Sequence, residues 1–170
     1  LHEERGVGGS PLRDRVEHAI DVVARLRPTH PGLQLRVIGH GWWHDRIAEH
    51  AHQSGVEDDV SLLGFVEEET KHAELAAAWL ALAPSVKEGW GLCVVEAASH
   101  GVPTIAYQNA GGLSESIVDG RTGLLVEDLD AMTREVSELL ADRDRRELMG
   151  EHARDYARQF TWTGTTDYWE

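Results

Sequence analysis

The runs WLALAPSV (79–86), VPTIAYQ (102–108) and GLLV (123–126) are too continuously apolar for strands with one wet face. Strands buried on both faces and separated by helices form a parallel sheet covered on each side, so this one feature narrows the chain to an α/β, doubly wound parallel sheet of Rossmann-like type. The intervening segments agree. Residues 13–27 (RDRVEHAIDVVARLR) place Val16, Ile20, Val23 and Leu26 at helical spacing, and Pro28 and Pro31 stop the helix. LQLRVIG (33–39) and VSLLGF (60–65) read as two more strands, with a helix from Asp45 to about Ser54, closed by Gly55, between them. From Asp128 onward the chain is mostly helical, first in DLDAMTREVSELLADRD and then in RRELMGEHARDYARQF. No repeat or linker divides it. The expectation is one domain over 1–170, with 1–14 atypical and 143–170 a terminal helical segment.

Composition removes several function classes. A formal net charge of −14 over 170 residues repels phosphodiester backbones, which excludes a nucleic-acid partner held by counterion release but leaves room for a small anion at one local site. No apolar run approaches the roughly 20 residues that span a bilayer, and LHEERGVGG carries no signal-peptide core, so no transmembrane segment and a cytoplasmic location are expected. Cys93 is the single cysteine, and no intrachain disulfide can form.

The chemistry concentrates in KEGWGLCVVEAASHGVP (87–103). In a doubly wound sheet, ligands bind beyond the carboxyl ends of the strands, where helix N-termini present unpaired N–H groups. KEGWG follows the strand at 79–86 directly. Gly89 and Gly91 allow a sharp turn and close approach of a ligand, and a helix starting near Leu92 leaves its first N–H groups for an anion. At 1.5 Å rise per residue, Glu96 sits about 6 Å up the axis from Leu92, while Glu88 lies before the helix. Two carboxylates thus flank a phosphate-sized slot. An ionised carboxylate suits a vicinal diol, because its two oxygens accept from paired hydroxyls. A nucleotide sugar has hydroxyls at both ends and diphosphate between them: sugar at Glu88, diphosphate at the N–H groups of Gly91, Leu92 and Cys93, ribose at Glu96.

Glu88 and Glu96, separated by seven residues in EGWGLCVVE, resemble the paired-glutamate motif of glycosyltransferase family 4, retaining enzymes of the GT-B fold. VIGHG (37–41) resembles the family's strand-to-glycine turn beside the nucleotide, and LGFVEEETK (63–71) the segment whose main chain meets the base. AYQNAGGLSESIVDGRTGLLV (106–126) and FTW (160–162) resemble the stretch after the motif helix and the last-helix boundary. The match runs over roughly 15 to 163. It implies a single GT-B half-domain, the C-terminal one, that holds a nucleotide diphosphate sugar as substrate for transfer of its hexose to an acceptor hydroxyl. On this resemblance Glu88, Gly89 and Trp90 meet the donor sugar, Glu96 the ribose, and Gly39, Phe65, Val66 and Lys71 the base. It implies no cofactor and no obligatory metal. The acceptor site and a catalytic His belong to an N-terminal partner domain, through which membrane association would come.

Some residues depart from the family pattern. Gly9 stands where the family has an Arg and Asp14 where it has a Lys, the two cations that grip the diphosphate; Arg13 or Arg15 is the nearest substitute. LHEERGV is no buried strand, although the family's first strand lies mid-sheet. These departures carry the alternative reading, a non-catalytic nucleotide-sugar binding module. His40, His44, His50 and His52 match no closed zinc spacing. His100 is expected to make a favourable contact with a helix C-terminus, Cys93 to pack, and Glu96 to be a charge set among apolar neighbours. Gly111 and Gly112 serve equally as turn-formers or as ligand-facing residues, and Trp42 and Trp43 either line the cleft or are exposed. A dinucleotide oxidoreductase and an elbow hydrolase are disfavoured, since G-x-G-x-x-G and G-x-S-x-G are both absent.

Overall fold

A computed structural model describes residues 15–39, 41, 43–85 and 91–160, and expectations placed on other residues lie outside the described ones. Helices and strands alternate: α1 (Val16–Leu26), β1 (Leu35–Ile38), α2 (His44–Gln53), β2 (Val60–Gly64), α3 (Glu68–Ala77), β3 (Ala81–Ala83) and α4 (Leu92–Ser99). Then follow β4 (Thr104–Tyr107), α5 (Leu113–Ser116), β5 (Gly123–Val126), α6 (Leu129–Ala141) and α7 (Arg143–Ala157). Local chemistry explains the boundaries. α1 buries Ala19, Ile20, Val22, Val23 and Leu26 along one stripe. Asp128 caps α6 by accepting from the Ala131 N–H at 2.8 Å, and Asp142 both ends α6 and caps α7 by accepting from Arg145 N–H at 2.9 Å.

All strand pairs are parallel. β1 pairs with β2, and β4 lies between β3 and β5. Thr104, Ile105, Ala106 and Tyr107 are all buried, so both faces of β4 are covered, as a doubly wound sheet requires. Among the described residues the ladders form two groups, because β1 and β3 do not pair with each other. α1 spans that seam: Val22 and Leu26 join the core under β3–β5, and Ile20 and Val23 join the cluster under β1–β2.

The strand expected over 79–86 shrinks to Ala81–Ala83. Pro84 has no N–H to continue the ladder, and Trp79 is 61% exposed, with the Arg146 guanidinium 4.4 Å above its ring. β3 is also only partly buried, unlike β4 and β5. Trp43 settles into the α1–α2 cluster rather than a cleft. Gly111, with φ of +74°, precedes Gly112 at the start of α5, and both act as turn-formers.

Candidate functional site

In parallel ladders every strand delivers its carboxyl end to one edge. That edge collects Gly39 after β1, Phe65 and Val66 after β2, Gly91 at the head of α4, and Tyr107 at the end of β4. Gly91 has φ of +70° and is buried; a side chain there would collide with Leu113, so α5 buttresses the turn that aims α4. Having no side chain, Gly91 supplies no cap of its own to the first turn of α4. Leu92 and Cys93 stand exposed on that turn, which corrects the expectation that Cys93 packs: the buried face of α4 is Val94, Ala97 and Ala98.

Glu96 lies one turn further along. It is not sunk among apolar neighbours as the sequence suggested; its side chain is 43% exposed and partnered. Lys71 Nζ, from α3, donates to Glu96 Oε1 at 2.9 Å and to Glu68 Oε1 at 3.0 Å. These hydrogen bonds, that to Glu96 foremost, raise the Lys71 pKa and keep it charged. Among the described residues Glu96 Oε2 has no hydrogen-bond partner, so that oxygen is left as an acceptor. Sequence resemblance had set Lys71 with the base and Glu96 with the ribose, 25 residues apart; the fold joins them directly.

Gly39 donates to the Gly64 carbonyl at 2.9 Å, tying the carboxyl ends of β1 and β2 together, and Phe65 beside them is 78% exposed. An aromatic that open at a strand end offers a stacking face. The three residues assigned to the donor sugar, Glu88, Gly89 and Trp90, lie outside the described residues, as do Gly9, Arg13 and Asp14.

Two further contacts, one at this edge and one at the far end of α4, have no counterpart in the sequence reading. His18 Nδ1 and the Tyr107 hydroxyl lie 2.6 Å apart, joining the first turn of α1 to β4. Burial lowers the His18 pKa and raises that of Tyr107, and the positive charge of Arg15, exposed just before α1, opposes protonation of His18 and favours the ionised Tyr107. The second is His72 Nδ1 to His100 Nε2, at 2.9 Å between α3 and the end of α4. His100 was expected to gain from the helix dipole as a cation. Instead its pKa is lowered by burial, then by His72 and Arg154, so the neutral ring is favoured.

The described histidines of the 40–52 cluster pair with carboxylates, His44 with Asp45 at 3.4 Å, His50 with Asp21 at 2.7 Å and His52 with Glu57 at 3.2 Å. Among the described residues no three His, Cys, Asp or Glu side chains are grouped to hold a metal ion, and no helix is long and apolar enough to cross a membrane. A cavity of about 270 Å³ lined by Arg121, His152, Asp155 and Tyr156 sits against α7, and none of the expected site residues lines it.

Residues 8–156 match the family described as Glycosyl transferases group 1. An exopolysaccharide phosphotransferase of Streptomyces coelicolor is 34% identical over 159 residues, covering 92% of this chain and 17% of its own length. A D-inositol 3-phosphate glycosyltransferase of Corynebacterium kroppenstedtii is 34% identical over 152 residues, with 84% and 34% covered. The crystal structure of the C-terminal domain of a glycosyl transferase group 1 family protein from Francisella tularensis superposes with a TM-score of 0.78 at 22% identity, covering 87% of this chain and 80% of that one. The chain therefore spans well under half the length of these curated relatives, and four fifths of that isolated domain.

Proposed function

Since this chain belongs to the group 1 glycosyl transferases, we propose that it is the donor-binding, C-terminal half of a retaining GT-B glycosyltransferase resembling family 4. Its substrate is a nucleotide diphosphate hexose, and its partner is an N-terminal domain that holds the acceptor. The observation that carries this reading is the Lys71–Glu96 pair beside the first turn of α4, which has no side-chain cap. Lys71 fixes one carboxylate oxygen and thereby orients the other toward a ribose diol, while the α4 N–H groups donate to the diphosphate oxygens. During transfer the acceptor hydroxyl attacks the anomeric carbon, the bond to the diphosphate breaks, and the helix N-terminus stabilises the charge that the leaving diphosphate gains. Glu88, Gly89 and Trp90 hold the hexose in this proposal, and Gly39, Phe65 and Val66 the base. Arg13 or Arg15, on either side of Asp14, is the nearest substitute for the two cations that the family places in its first turn.

Calorimetric titration with UDP, GDP and their hexose conjugates tests the reading. One nucleotide series should give saturable heat, and Glu96→Ala should weaken it at least tenfold, about 1.4 kcal/mol or more. No heat with either series rejects the proposal; unchanged affinity in Glu96→Ala removes Glu96 from the site.

A further inference from the structure

α3 is the most weakly seated helix next to the site. None of its ten residues is buried, whereas each other described helix of eight residues or more buries at least two. Polar contacts hold it instead: Lys71 to Glu96, Arg36 Nη1 of β1 to Glu74 Oε1 at 2.8 Å, and His72 to His100. Two imidazole nitrogens 2.9 Å apart need one N–H and one lone pair between them. A doubly protonated pair would set N–H against N–H and two positive charges at contact distance.

The surroundings resist that second charge. Arg154 of α7 donates to the His100 carbonyl at 2.9 Å, and its guanidinium lies over Gly101, which ends α4 with φ of +72° and has no Cβ to displace it. On α3 itself, Glu68 Oε2 lies 3.7 Å from His72 Nε2, and the Lys71 ammonium is one residue away. Glu96, one turn before His100, is already engaged by Lys71. The fixed cation therefore faces His100 and the one close carboxylate faces His72, so the surroundings oppose a proton on His100.

We propose that His72 and His100 are positioning residues for the nucleotide site: their hydrogen bond seats α3, sets Lys71 against Glu96, and releases the helix when both rings are protonated. Its meaning for nucleotide binding rests on the function proposed above; the latch itself does not. The direction follows from linkage. His100 binds its proton less readily in the seated state than at the ordinary value of 6.5, so the contact is complete above about pH 6.5 and is lost as pH falls through the lowered value.

Hydrogen exchange of residues 70–77, corrected for intrinsic rates, reads the seating of α3 at pH 7.5 and 5.5. Protection in the wild type should drop about tenfold at the lower pH, while residues 94–99 keep theirs. His100→Gln places a non-titrating amide near the Nε2 position, and His72→Asn does the same for Nδ1; both should exchange with no such pH step. A step of equal size in wild type and both variants, or none in any, overturns the latch. A parallel titration with UDP and GDP separates the two ideas. Wild-type affinity should fall several-fold more than that of His100→Gln between the two pH values. Nucleotide binding with pH-independent exchange removes the latch alone; exchange that steps with pH in a chain binding neither nucleotide keeps the latch and removes the proposed function.

Discussion

The two strand groups are held by different means. β4 is buried at every position, and the core around it gathers α1, α4, α6 and α7 side chains such as Leu26, Val94, Met132 and Met149. β1 and β2 rest on five buried residues, Ile20, Val23, Ile47, Ala51 and Val56, and every residue of β2 keeps partial exposure. The contrast extends to the helices at the site. α4 is fixed by packing: α7 crosses its end so closely that a side chain at Gly150 would strike the Gly101 carbonyl. α3 is fixed by ion pairs and a histidine pair. On the function proposed above, a ligand at this edge meets a packed helix, α4, on one side and an adjustable one, α3, on the other, joined through Lys71 and Glu96.

Core deletions give the largest effects and the most direct attack on this contrast. Ile105→Ala, in the centre of the large core, should cost toward the upper end of about 2–5 kcal/mol, and Ile47→Ala toward the lower end, because the smaller cluster collapses more readily. Urea denaturation reads both, and equal costs would erase the distinction. Gly150→Ala should come next, at about 1–3 kcal/mol of overpacking in thermal melts, with α7 displaced from α4. A neutral result would mean that this helix crossing is looser than the Gly101 contact indicates. Arg36→Gln is the mildest change: the Arg36 and Glu74 side chains are 55% and 21% exposed, so stability should shift by less than about 1 kcal/mol. Exchange at α3 should quicken all the same, since this contact seats the helix.

Much of the architecture was legible beforehand. GLLV became β5 residue for residue, TIAY within VPTIAYQ became β4, and Asp128 and Gly55 mark helix ends as their chemistry predicts. These signals are local, carried by apolar runs, glycines and caps. The reading slipped where a residue's environment depends on a distant element. WLALAPSV looked like one long buried strand, yet Trp79 turns outward beneath Arg146, 67 positions along the chain. Glu96 looked like a charge among apolar neighbours because its sequence neighbours are apolar; its spatial neighbour is Lys71. His100 looked like a dipole partner because only its own helix was in view, and burial, with His72 and Arg154 beside it, reversed the preference.

Alternation of apolar runs with helical periods was enough to determine a parallel α/β chain and to place a glycine-led helix where an anion can bind, because backbone geometry and burial leave a repeating trace along the sequence. The meeting of Lys71 with Glu96, of His72 with His100 and of His18 with Tyr107 was decided only in three dimensions. Side chains on helix surfaces follow no period that reveals their partners, so their pairings depend on how each helix settles against the sheet.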